Sequence, residues 1–577
     1  MGPQTRAGEA THAMKYRQDG ETFRDAVNRI AGSLNDNPKH YHEFRDILLD
    51  MRFMPAGRVQ SAIGSARQTT PYNCYVSGTI EDSFVEGEGS IMQRATEAAA
   101  TMRLGGGIGY DFSTLRPRGD LIKKLQSHSS GPLSFMKIFN EVCKCVASSG
   151  HRRGAQMGVL RIDHPDIMEF VNAKHDQETL TGFNLSIAIT DEFMESLETE
   201  RPFSLQFGGQ VYREVDPLEL WETVMRSTWD WAEPGVLFID TINRKNNLYY
   251  CEKIAATNPC GEQPLPPFGA CLLGSFNLVK YLERRPISVS DIRPGVNGPG
   301  YYFKWEQFEN DIAPVVRAMD NVVDRAIYPL PQQEQEAKSK RRMGLGIMGL
   351  ANTAEALGMP YGTPHFLDFE RRVLQTLANE SYRSSAQLAA EKGAFPLYDA
   401  DMYLSGMFVR DLDADVRAAI EKHGIRNSHL TSIAPTGTIS LSADNISSGI
   451  EPVLFYDQRR TIQTPEGPIE MRLADYGVRF LGVRGRTSEE VPVRDHVKVL
   501  VTAANCVDSA VSKTCNLDGT VPWEDFKNVY RSAWEGGAKG CTTFNKDGKR
   551  FALITEEKAE PESACRIDPE TGRRECA

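Results

Sequence analysis

The 577-residue chain lacks the features that mark membrane proteins, secreted proteins and proteins that coat nucleic acids. It has no run of about 18 apolar residues, so we expect no membrane-spanning helix. Its first residues are polar and include Arg6, which fits neither a secretory leader nor a myristoylation signal. Positive charge is in deficit: 66 Lys and Arg against 77 Asp and Glu give a net charge of −11, which argues against general binding of long nucleic acid. With 40% hydrophobic and 25% charged residues, the composition is that of an ordinary globular protein.

Cysteine is present but is not arranged for disulfide scaffolding or for structural zinc. There are 11 cysteines, an odd number spread thinly over a long chain, which argues against a secreted disulfide framework. No CxxC pair is followed by a second one, and no Cys/His spacing is typical of zinc, so we predict no metal site. We therefore expect a reducing cytoplasm, where most of these thiols are small buried hydrophobes and a few are chemical.

The pattern along the chain predicts an α/β protein with a mostly parallel sheet. Residues 1–20 are polar and we expect them to be frayed, whereas residues 22–52 have helical periodicity. Helices are also predicted at 90–104 and 367–392. We divide the chain into an N-terminal helical region (1–70), one large catalytic unit (71–550) and a flexible tail (551–577) that carries Cys565 and Cys576. The predicted strands lie at residues 157–162, 184–190, 235–240, 344–350 and 430–434.

Residues 258–264 form the most informative short segment. Two prolines and a glycine in seven residues exclude regular helix and predict a loop of fixed shape. If the segment is extended, Asn258, Cys260 and Glu262 point to one side and converge on one ligand. A loop with a buried thiol and a solvated carboxylate is an equally good interpretation from spacing alone. For Cys74 and Cys271, each taken by itself, a core thiol is the better interpretation.

Two small-residue segments raise the question of phosphate binding. The glycines at 105–109 follow a helix instead of opening one, so they do not fit a dinucleotide fingerprint. Residues 435–439, Pro-Thr-Gly-Thr-Ile, follow a predicted strand. If a helix begins there, its free N–H groups could hold a phosphate, although a plain helix cap is as good an interpretation of the residues alone.

Taken together, these motifs resemble the catalytic chain of ribonucleotide reductases. The resemblance rests first on Asn258-x-Cys260-x-Glu262, with Cys271 just after it and Cys74 far upstream. It spans roughly residues 50–550, with the motifs in the family's order. Further matching segments are 105–112, 115–119, 151–158, 342–346, 434–440, 448–452 and 539–543.

The resemblance implies a role for each residue of the site. Cys260 would carry a transient thiyl radical, Glu262 would accept a ribose hydroxyl proton and Asn258 would position a ribose hydroxyl. Cys74 and Cys271 would supply the reducing equivalents and leave as a disulfide. The substrate pocket would be formed by the following residues: Asn73, Gly107, Pro435, Thr436, Gly437, Thr438 and Ile439. A deoxynucleotide effector would bind near Asp82, Lys123 and Arg152, with a solvated charge as an equally good interpretation of Lys123.

The resemblance also implies a ten-stranded α/β barrel and a radical source. Adjacent tyrosines occur at 249–250 and 301–302 but not later, where the class with a separate radical subunit has them. Residues 508–514 and 539–543 look instead like the class II enzymes, so we predict adenosylcobalamin as cofactor. No C-terminal glycine motif indicates the glycyl-radical class.

The remaining expectations concern regulation and partners. The N-terminal region is too short for the ATP-binding cone of some relatives, so we expect control of specificity without that switch. We expect a homodimer, a ribonucleoside di- or triphosphate substrate and a thioredoxin-like reductant served by Cys565 and Cys576. The alternatives left open are two exposed incidental thiols in the tail, a subunit that needs a radical partner protein, and a nucleotide-binding regulator that has lost the chemistry. The other six cysteines are expected to be core thiols: Cys143, Cys145, Cys251, Cys506, Cys515 and Cys541.

Overall fold

The fold is known from a computed structural model that describes residues 2–146, 155–176, 178–284, 300–464, 467–517, 519–549, 555–556, 566–567 and 574–575. The helices are α1 (Arg6–Tyr16), α2 (Phe23–Leu34), α3 (Pro38–Leu49), α4 (Gly57–Ala62), α5 (Ile91–Arg103), α6 (Pro132–Cys145), α7 (Ile167–Val171), α8 (Asp191–Thr199), α9 (Pro217–Trp231), α10 (Ile239–Arg244), α11 (Trp305–Arg325), α12 (Pro331–Lys340), α13 (Leu350–Ala356), α14 (Pro364–Lys392), α15 (Ala400–Leu404), α16 (Met407–Arg410), α17 (Ala414–His423), α18 (Gly437–Ser442), α19 (Val493–Ala504) and α20 (Trp523–Glu535). The strands are β1 (Phe53–Pro55), β2 (Cys74–Val76), β3 (Gly107–Asp111), β4 (Leu121–Ile122), β5 (Ser127–His128), β6 (Gln156–Arg161), β7 (Phe183–Ile189), β8 (Phe203–Phe207), β9 (Gln210–Val215), β10 (Gly235–Phe238), β11 (Ala256–Thr257), β12 (Pro264–Leu265), β13 (Ala270–Cys271), β14 (Leu273–Asn277), β15 (Leu282–Arg284), β16 (Tyr301–Phe303), β17 (Gly344–Met348), β18 (Asp457–Thr464), β19 (Gly467–Ala474), β20 (Thr514–Leu517), β21 (Gly540–Asn545), β22 (Thr555–Glu556), β23 (Arg566–Ile567) and β24 (Arg574–Glu575).

The larger sheet has eight strands in the order β13-β2-β3-β6-β7-β10-β21-β20. Strands β2 to β10 are parallel to their neighbours, whereas β13 and β21 enter antiparallel. Helices α6 to α9 connect the parallel strands and cover the sheet. Because β6, β7 and β10 are buried almost throughout, their sequences are nearly continuous apolar runs, as expected for parallel strands covered on both faces.

A second sheet of three strands, β1-β14-β17, carries the other part of the core. Isolated parallel bridges continue it from Leu345 to Thr431 and from Ile433 to Val511. The fold is thus mixed α/β, and the part of the chain described here shows no closed sheet. No helix within these residues is long and apolar enough to cross a bilayer.

Most of the predicted elements are confirmed. The predicted helices at 90–104 and 367–392 correspond to α5 and α14, and Gly393 ends α14 with a positive φ. Four of the five predicted strands correspond to β6, β7, β10 and β17. Residues 430–434 form only isolated bridges, because single contacts at Thr431 and Ile433 replace a continuous ladder.

The prediction that residues 1–20 are frayed is wrong. Thr5 caps α1 by accepting a hydrogen bond from the Gly8 N–H, and Ala7, His12 and Tyr16 are buried. The buried face of α1 is made largely of small and polar residues, so it has little hydrophobic periodicity to detect in the sequence.

Candidate active site

The central cysteine lies at the tip of a small hairpin formed by β11 and β12. Gly261 has φ +81°, and its N–H donates to the Asn258 carbonyl at 3.0 Å. The Asn258 Oδ1 accepts the Gln263 N–H at 3.0 Å. The segment is therefore a tight turn, which agrees with the predicted loop of fixed shape, but it is not the extended backbone under which the three side chains were expected to point to one side. A positive φ is readily adopted only by glycine, which is why the turn can close at residue 261.

The turn separates its three polar side chains by burial. Asn258 is fully buried and Glu262 is 2% exposed, whereas Cys260 is exposed at the tip. Since Oδ1 of Asn258 holds the turn, its Nδ2 remains and has no hydrogen-bond partner among the described residues. A buried amide donor of this kind is costly unless a ligand accepts from it. The turn thus holds an exposed thiol two residues from a buried amide donor that has no partner in the described part of the chain.

Three hydrogen bonds from other parts of the chain fix the hairpin tip. Asn184 on β7 donates from Nδ2 to the Pro259 carbonyl at 2.9 Å. The Glu262 carbonyl accepts from the Ala510 N–H and from the Ser432 hydroxyl, each at 2.9 Å. The sequence analysis did not identify Asn184 or Ser432. The available signal was weak, since each is a polar residue within a short, mainly apolar segment that contains a second polar residue.

Cys260 faces a cavity of about 1590 Å³. Its lining includes the hairpin tip, Pro435 and residues 445–448. Strand β21 and helix α20 also line it. The volume exceeds the roughly 300–1000 Å³ of a pocket for one small ligand. The cavity is therefore large enough for two molecules, one of which can be unusually large.

Cys74 and Cys271 lie directly opposite each other on the antiparallel strands β2 and β13. Such partners have Cα atoms roughly 4.5–5.5 Å apart, within the range that a disulfide spans. Cys74 is half-buried and Cys271 is buried. Burial, together with the nearby Glu262, Cys74 and Cys260, raises the pKa of Cys271 well above its usual 9.0. The buried Cys271 thiol is therefore close enough to Glu262, Cys74 and Cys260 for each of them to raise its pKa.

Gly107 is the close neighbour of this thiol pair. It is the register partner of Cys74 on the parallel strand β3. A Cβ at residue 107 would lie 3.2 Å from the Cys74 Sγ and 3.2 Å from Pro259. The absence of a side chain therefore lets the pair and the hairpin tip approach each other. Beside it, the buried Oδ1 of Asn73 has no hydrogen-bond partner in the described part of the chain.

Residues 435–439 do form the start of a helix, and α18 begins at Gly437. Thr436 has φ +50°, and its hydroxyl accepts the Gly449 N–H at 2.8 Å. Pro435, Gly437 and Thr438 are exposed, whereas Ile439 is buried. The Thr436 hydroxyl thus fixes the loop, while three of its five residues are exposed. Pro435 also lines the cavity that holds Cys260.

The lining of the cavity also contains an ion pair between Glu451 and Lys513 that the sequence analysis did not identify. Lys513, whose side chain is fully buried, pairs with Glu451 at 2.7 Å and lies 3.1 Å from His496 Nδ1. Burial and the Lys513 charge lower the pKa of His496 to about 2, so His496 is neutral and accepts from Lys513. The only sign of this ion pair in the sequence is that Glu451 and Lys513 lie in two of the segments that resemble the family.

The residues expected at an effector site lie in a separate region. Asp82 pairs with Arg116 at 2.6 Å, and Arg116 also donates to the Leu121 carbonyl at 3.3 Å. Lys123 is exposed in the turn between β4 and β5. Arg152, Cys565 and Cys576 lie outside the described residues.

The expectation of six core thiols holds for four of them. Cys143, Cys506, Cys515 and Cys541 are buried, but Cys145 and Cys251 are exposed, so for these two it is wrong. Cys145 is the last residue of α6, where the helix meets solvent. Cys251 ends a surface turn.

Comparison with known proteins gives a consistent result. The model of the family described as ribonucleotide reductase, barrel domain, matches residues 72–469 and 485–544, well over half of the chain. A vitamin B12-dependent ribonucleoside-diphosphate reductase of Thermoplasma acidophilum is 31% identical over 573 residues, covering 93% of this chain and 69% of the relative. A protein of the same name from Mycobacterium tuberculosis is 32% identical over 549 residues, covering 90% and 74%. A ribonucleoside-diphosphate reductase subunit alpha of Chlamydia pneumoniae is 25% identical over 469 residues, covering 71% and 43%.

The family match contains the hairpin, the thiol pair and the loop at 435–439, and the matches to the Thermoplasma acidophilum and Mycobacterium tuberculosis relatives extend over nine tenths of the chain. The chain therefore belongs to the ribonucleotide reductase family, of which it carries the barrel domain.

Proposed function

We propose that this protein reduces ribonucleotides to 2′-deoxyribonucleotides with adenosylcobalamin as the source of the radical. The observation that carries the proposal is the three-thiol arrangement: Cys260 at a turn tip facing the cavity, beside the register partners Cys74 and Cys271. The names of the Thermoplasma acidophilum and Mycobacterium tuberculosis relatives support cobalamin and a diphosphate substrate.

The net reaction balances with one thiol pair. The ribonucleotide loses its 2′-hydroxyl as water and gains hydrogen, while Cys74 and Cys271 together give up two electrons and two protons and become a disulfide. An external dithiol, thioredoxin-like in the cell, then reduces the disulfide by exchange. The chemistry needs a reducing compartment such as the cytoplasm, because otherwise the pair stays oxidised.

The residues of the hairpin divide the work by their burial. As a thiyl radical, Cys260 takes the 3′ hydrogen atom, a role supported by its exposed position at the hairpin tip on the wall of the cavity. Glu262 accepts the 3′-hydroxyl proton, and the two hydrogen bonds that fix its carbonyl, from Ser432 and Ala510, support that role. Asn258 donates from its spare Nδ2 to a ribose hydroxyl. The open loop at 435–439 binds the phosphates, and Asn73 and Gly107 complete the substrate pocket.

The cavity fits a corrinoid in size and in the character of its walls. Beyond the space next to Cys260, it extends along α20, where Asp525, Asn528 and Ser532 line it at a spacing of three and four residues. These side chains can hydrogen-bond the amide groups that surround a corrin ring. When bound, the cofactor supplies a radical through homolysis of its cobalt–carbon bond. The hairpin tip orients the Cys260 sulfur towards that space.

We also propose the finer architecture and the regulation that the family implies. The bridges at Thr431 and Val511 support a ten-stranded barrel, because they carry the three-stranded sheet towards β20. We retain residues 1–70, 71–550 and 551–577 as the division of the chain. A deoxynucleotide effector would bind near Asp82 and Lys123, at the interface of a homodimer. The exposed Phe84, Val85 and Leu125 support an interface there.

The test is a reduction assay with the purified chain, a ribonucleoside diphosphate, dithiothreitol and adenosylcobalamin. We expect deoxynucleotide to form only when the cofactor is present. No product with cofactor, reductant and folded protein would contradict the proposal. Product that appears only after a second protein is added would favour a radical partner subunit.

Cys260→Ser is the internal control of that assay. The change is nearly isosteric and lies at an exposed position, so the thermal unfolding midpoint should stay unchanged while turnover is abolished. Turnover that survives in Cys260→Ser would remove Cys260 from the radical role. The replacement of both Cys565 and Cys576 by serine should spare activity with dithiothreitol and impair activity with thioredoxin.

A further inference from the structure

The N-terminal helix α1 lies against the element that begins with the loop at 435–439. Ala7 of α1 packs with Leu441 of α18, and Tyr16 shares a buried cluster with Ile439 and Ala443. Helix α18 has only six residues, so its own hydrogen bonds give it little independent stability. Its position must therefore come from the elements packed against it, and α1 is one of them.

The strongest link between the two helices is the carboxylate of Asp444, in the turn that follows α18. It accepts the Gln4 N–H at 2.8 Å and the Thr5 N–H at 2.7 Å. Asp444 is 1% exposed. A carboxylate at the start of a helix interacts favourably with the helix dipole, and here that carboxylate belongs to a residue more than 400 positions away in sequence.

The turn that carries Asp444 needs such support. Asp444 and Asn445 both have positive φ, +65° and +63°, a left-handed conformation that costs non-glycine residues free energy. The very next residues, 445–448, line the cavity that holds Cys260. A displacement of Asp444 would therefore also move α18, which precedes it, and residues 445–448, which line the cavity.

Gly8 shows how closely α1 seats on this turn. A Cβ at residue 8 would lie 2.9 Å from the Asp444 Oδ1, closer than real Cβ contacts. Glycine within a helix is unfavourable compared with alanine, so Gly8 lowers the stability of α1. Its missing side chain, however, leaves room for the Asp444 carboxylate to approach the helix.

We infer that α1 is a clamp that holds the 435–448 segment in its nucleotide-binding conformation, with Asp444 as the positioning residue. This inference rests on the proposed function, since it takes residues 435–439 to bind the substrate's phosphates. It assigns to the N-terminal segment a role in substrate affinity in addition to its role in the fold.

Gly8→Ala is the decisive variant, because it strengthens α1 as a helix but blocks the seat of Asp444. We expect the dissociation constant of ADP, measured by calorimetry, to rise about tenfold, which corresponds to about 1.4 kcal/mol. Hydrogen exchange of amides 436–448 should accelerate. The matched control is Gly32→Ala in α2, where a Cβ would meet nothing within 4 Å. That variant should bind ADP within twofold of the wild type.

Asp444→Ala and Asp444→Gly separate the carboxylate from the backbone strain. Both remove the hydrogen bonds to Gln4 and Thr5, but glycine keeps the left-handed turn without steric cost. We expect both to weaken ADP binding. Wild-type affinity in Asp444→Gly would overturn the clamp, because the shape of the turn would then suffice.

The outcomes distinguish the clamp from the proposed function. If the wild type makes deoxynucleotide, while Gly8→Ala and Asp444→Ala bind ADP and exchange amides 436–448 as the wild type does, the clamp is wrong and the function stands. If the wild type binds ADP but forms no product, the proposed function fails. The clamp is then supported by weaker ADP binding in the two variants and refuted by unchanged binding.

Discussion

Two pairs of neighbouring cysteines occur among the residues that the structure describes, and their surroundings differ. Cys74 and Cys271 are register partners on antiparallel strands, next to the exposed tip that carries Cys260. Cys515 and Cys541 lie on the adjacent parallel strands β20 and β21, two positions out of register, with Cys515 opposite Thr543. The Cys515 thiol hydrogen-bonds with Cys541 and, together with burial, raises the pKa of Cys541 well above its ordinary value.

This comparison indicates that contact between two thiols is not by itself the geometry of a disulfide. The first pair has strand register that suits a disulfide, and the missing side chain of Gly107 lets Cys74 approach the hairpin that carries Cys260. The second pair is in contact but out of register, although Cys541 lines the same cavity as Cys260. Register, rather than contact or access to the cavity, separates the two pairs.

The largest expected effect comes from removing one thiol of each pair. Cys271→Ala should limit the protein to at most one deoxynucleotide per chain with dithiothreitol, because no disulfide can form with Cys74. Cys515→Ala, the matched change in the other pair, should keep turnover within about twofold of the wild type. Quantifying product per chain in both variants tests the comparison. Equal loss in the two would mean that both pairs carry electrons.

A smaller effect is expected from closing the space between Cys74 and the hairpin. Gly107→Ala places a Cβ 3.2 Å from both the Cys74 Sγ and Pro259, so turnover should fall by about tenfold or more as the two are pushed apart. Gly158→Ala on the neighbouring strand is the control, because its Cβ would meet chiefly the flexible end of Met136. Initial rates at saturating substrate measure both. A wild-type rate in Gly107→Ala would show that the approach is not needed.

The next effect concerns the bond that holds the hairpin tip. Asn184→Ala removes the hydrogen bond to the Pro259 carbonyl, and a lost hydrogen bond of about 0.5–1.5 kcal/mol corresponds to roughly a three- to tenfold fall in kcat. Asn172→Ala removes a similar bond, to the Met168 carbonyl, at an exposed helix end and should leave kcat unchanged. Comparable losses in both variants would indicate general destabilisation instead of positioning.

The smallest expected difference is in thiol ionisation. Since burial raises the pKa of both Cys271 and Cys541, the thiolate fraction of each is lower at a given pH than that of a free cysteine. Alkylation by iodoacetamide, followed by peptide mass mapping, should therefore continue to accelerate above pH 9 at both residues. A plateau below pH 9 at Cys271 would contradict the raised pKa. Similar profiles at the two residues would confirm that pKa alone does not separate the pairs.

Much of the proposed site could be predicted from the sequence, because the residues of the site are concentrated in short motifs. Cys260, Glu262 and Asn258 lie within five residues, and the prolines and glycine around them predict a rigid loop. The sequence analysis did not identify the turn geometry, because Gly261 at positive φ bends a segment that alternation describes as extended. Nor did it identify Asn184 and Ser432, whose role depends on carbonyls 75 and 170 residues away in sequence.

By itself, the sequence predicted the α/β class and the long helices, since these follow from local periodicity, whereas the proposed reactive residues came from the resemblance of its motifs to ribonucleotide reductases. The tertiary structure alone decided that Cys74 lies opposite Cys271, that Cys145 and Cys251 are exposed, and that α1 is packed against α18. The physical reason is that register, burial and helix docking depend on contacts between distant segments. The local sequence of α1, which is polar and contains a glycine, does not predict its contact with the Asp444 carboxylate.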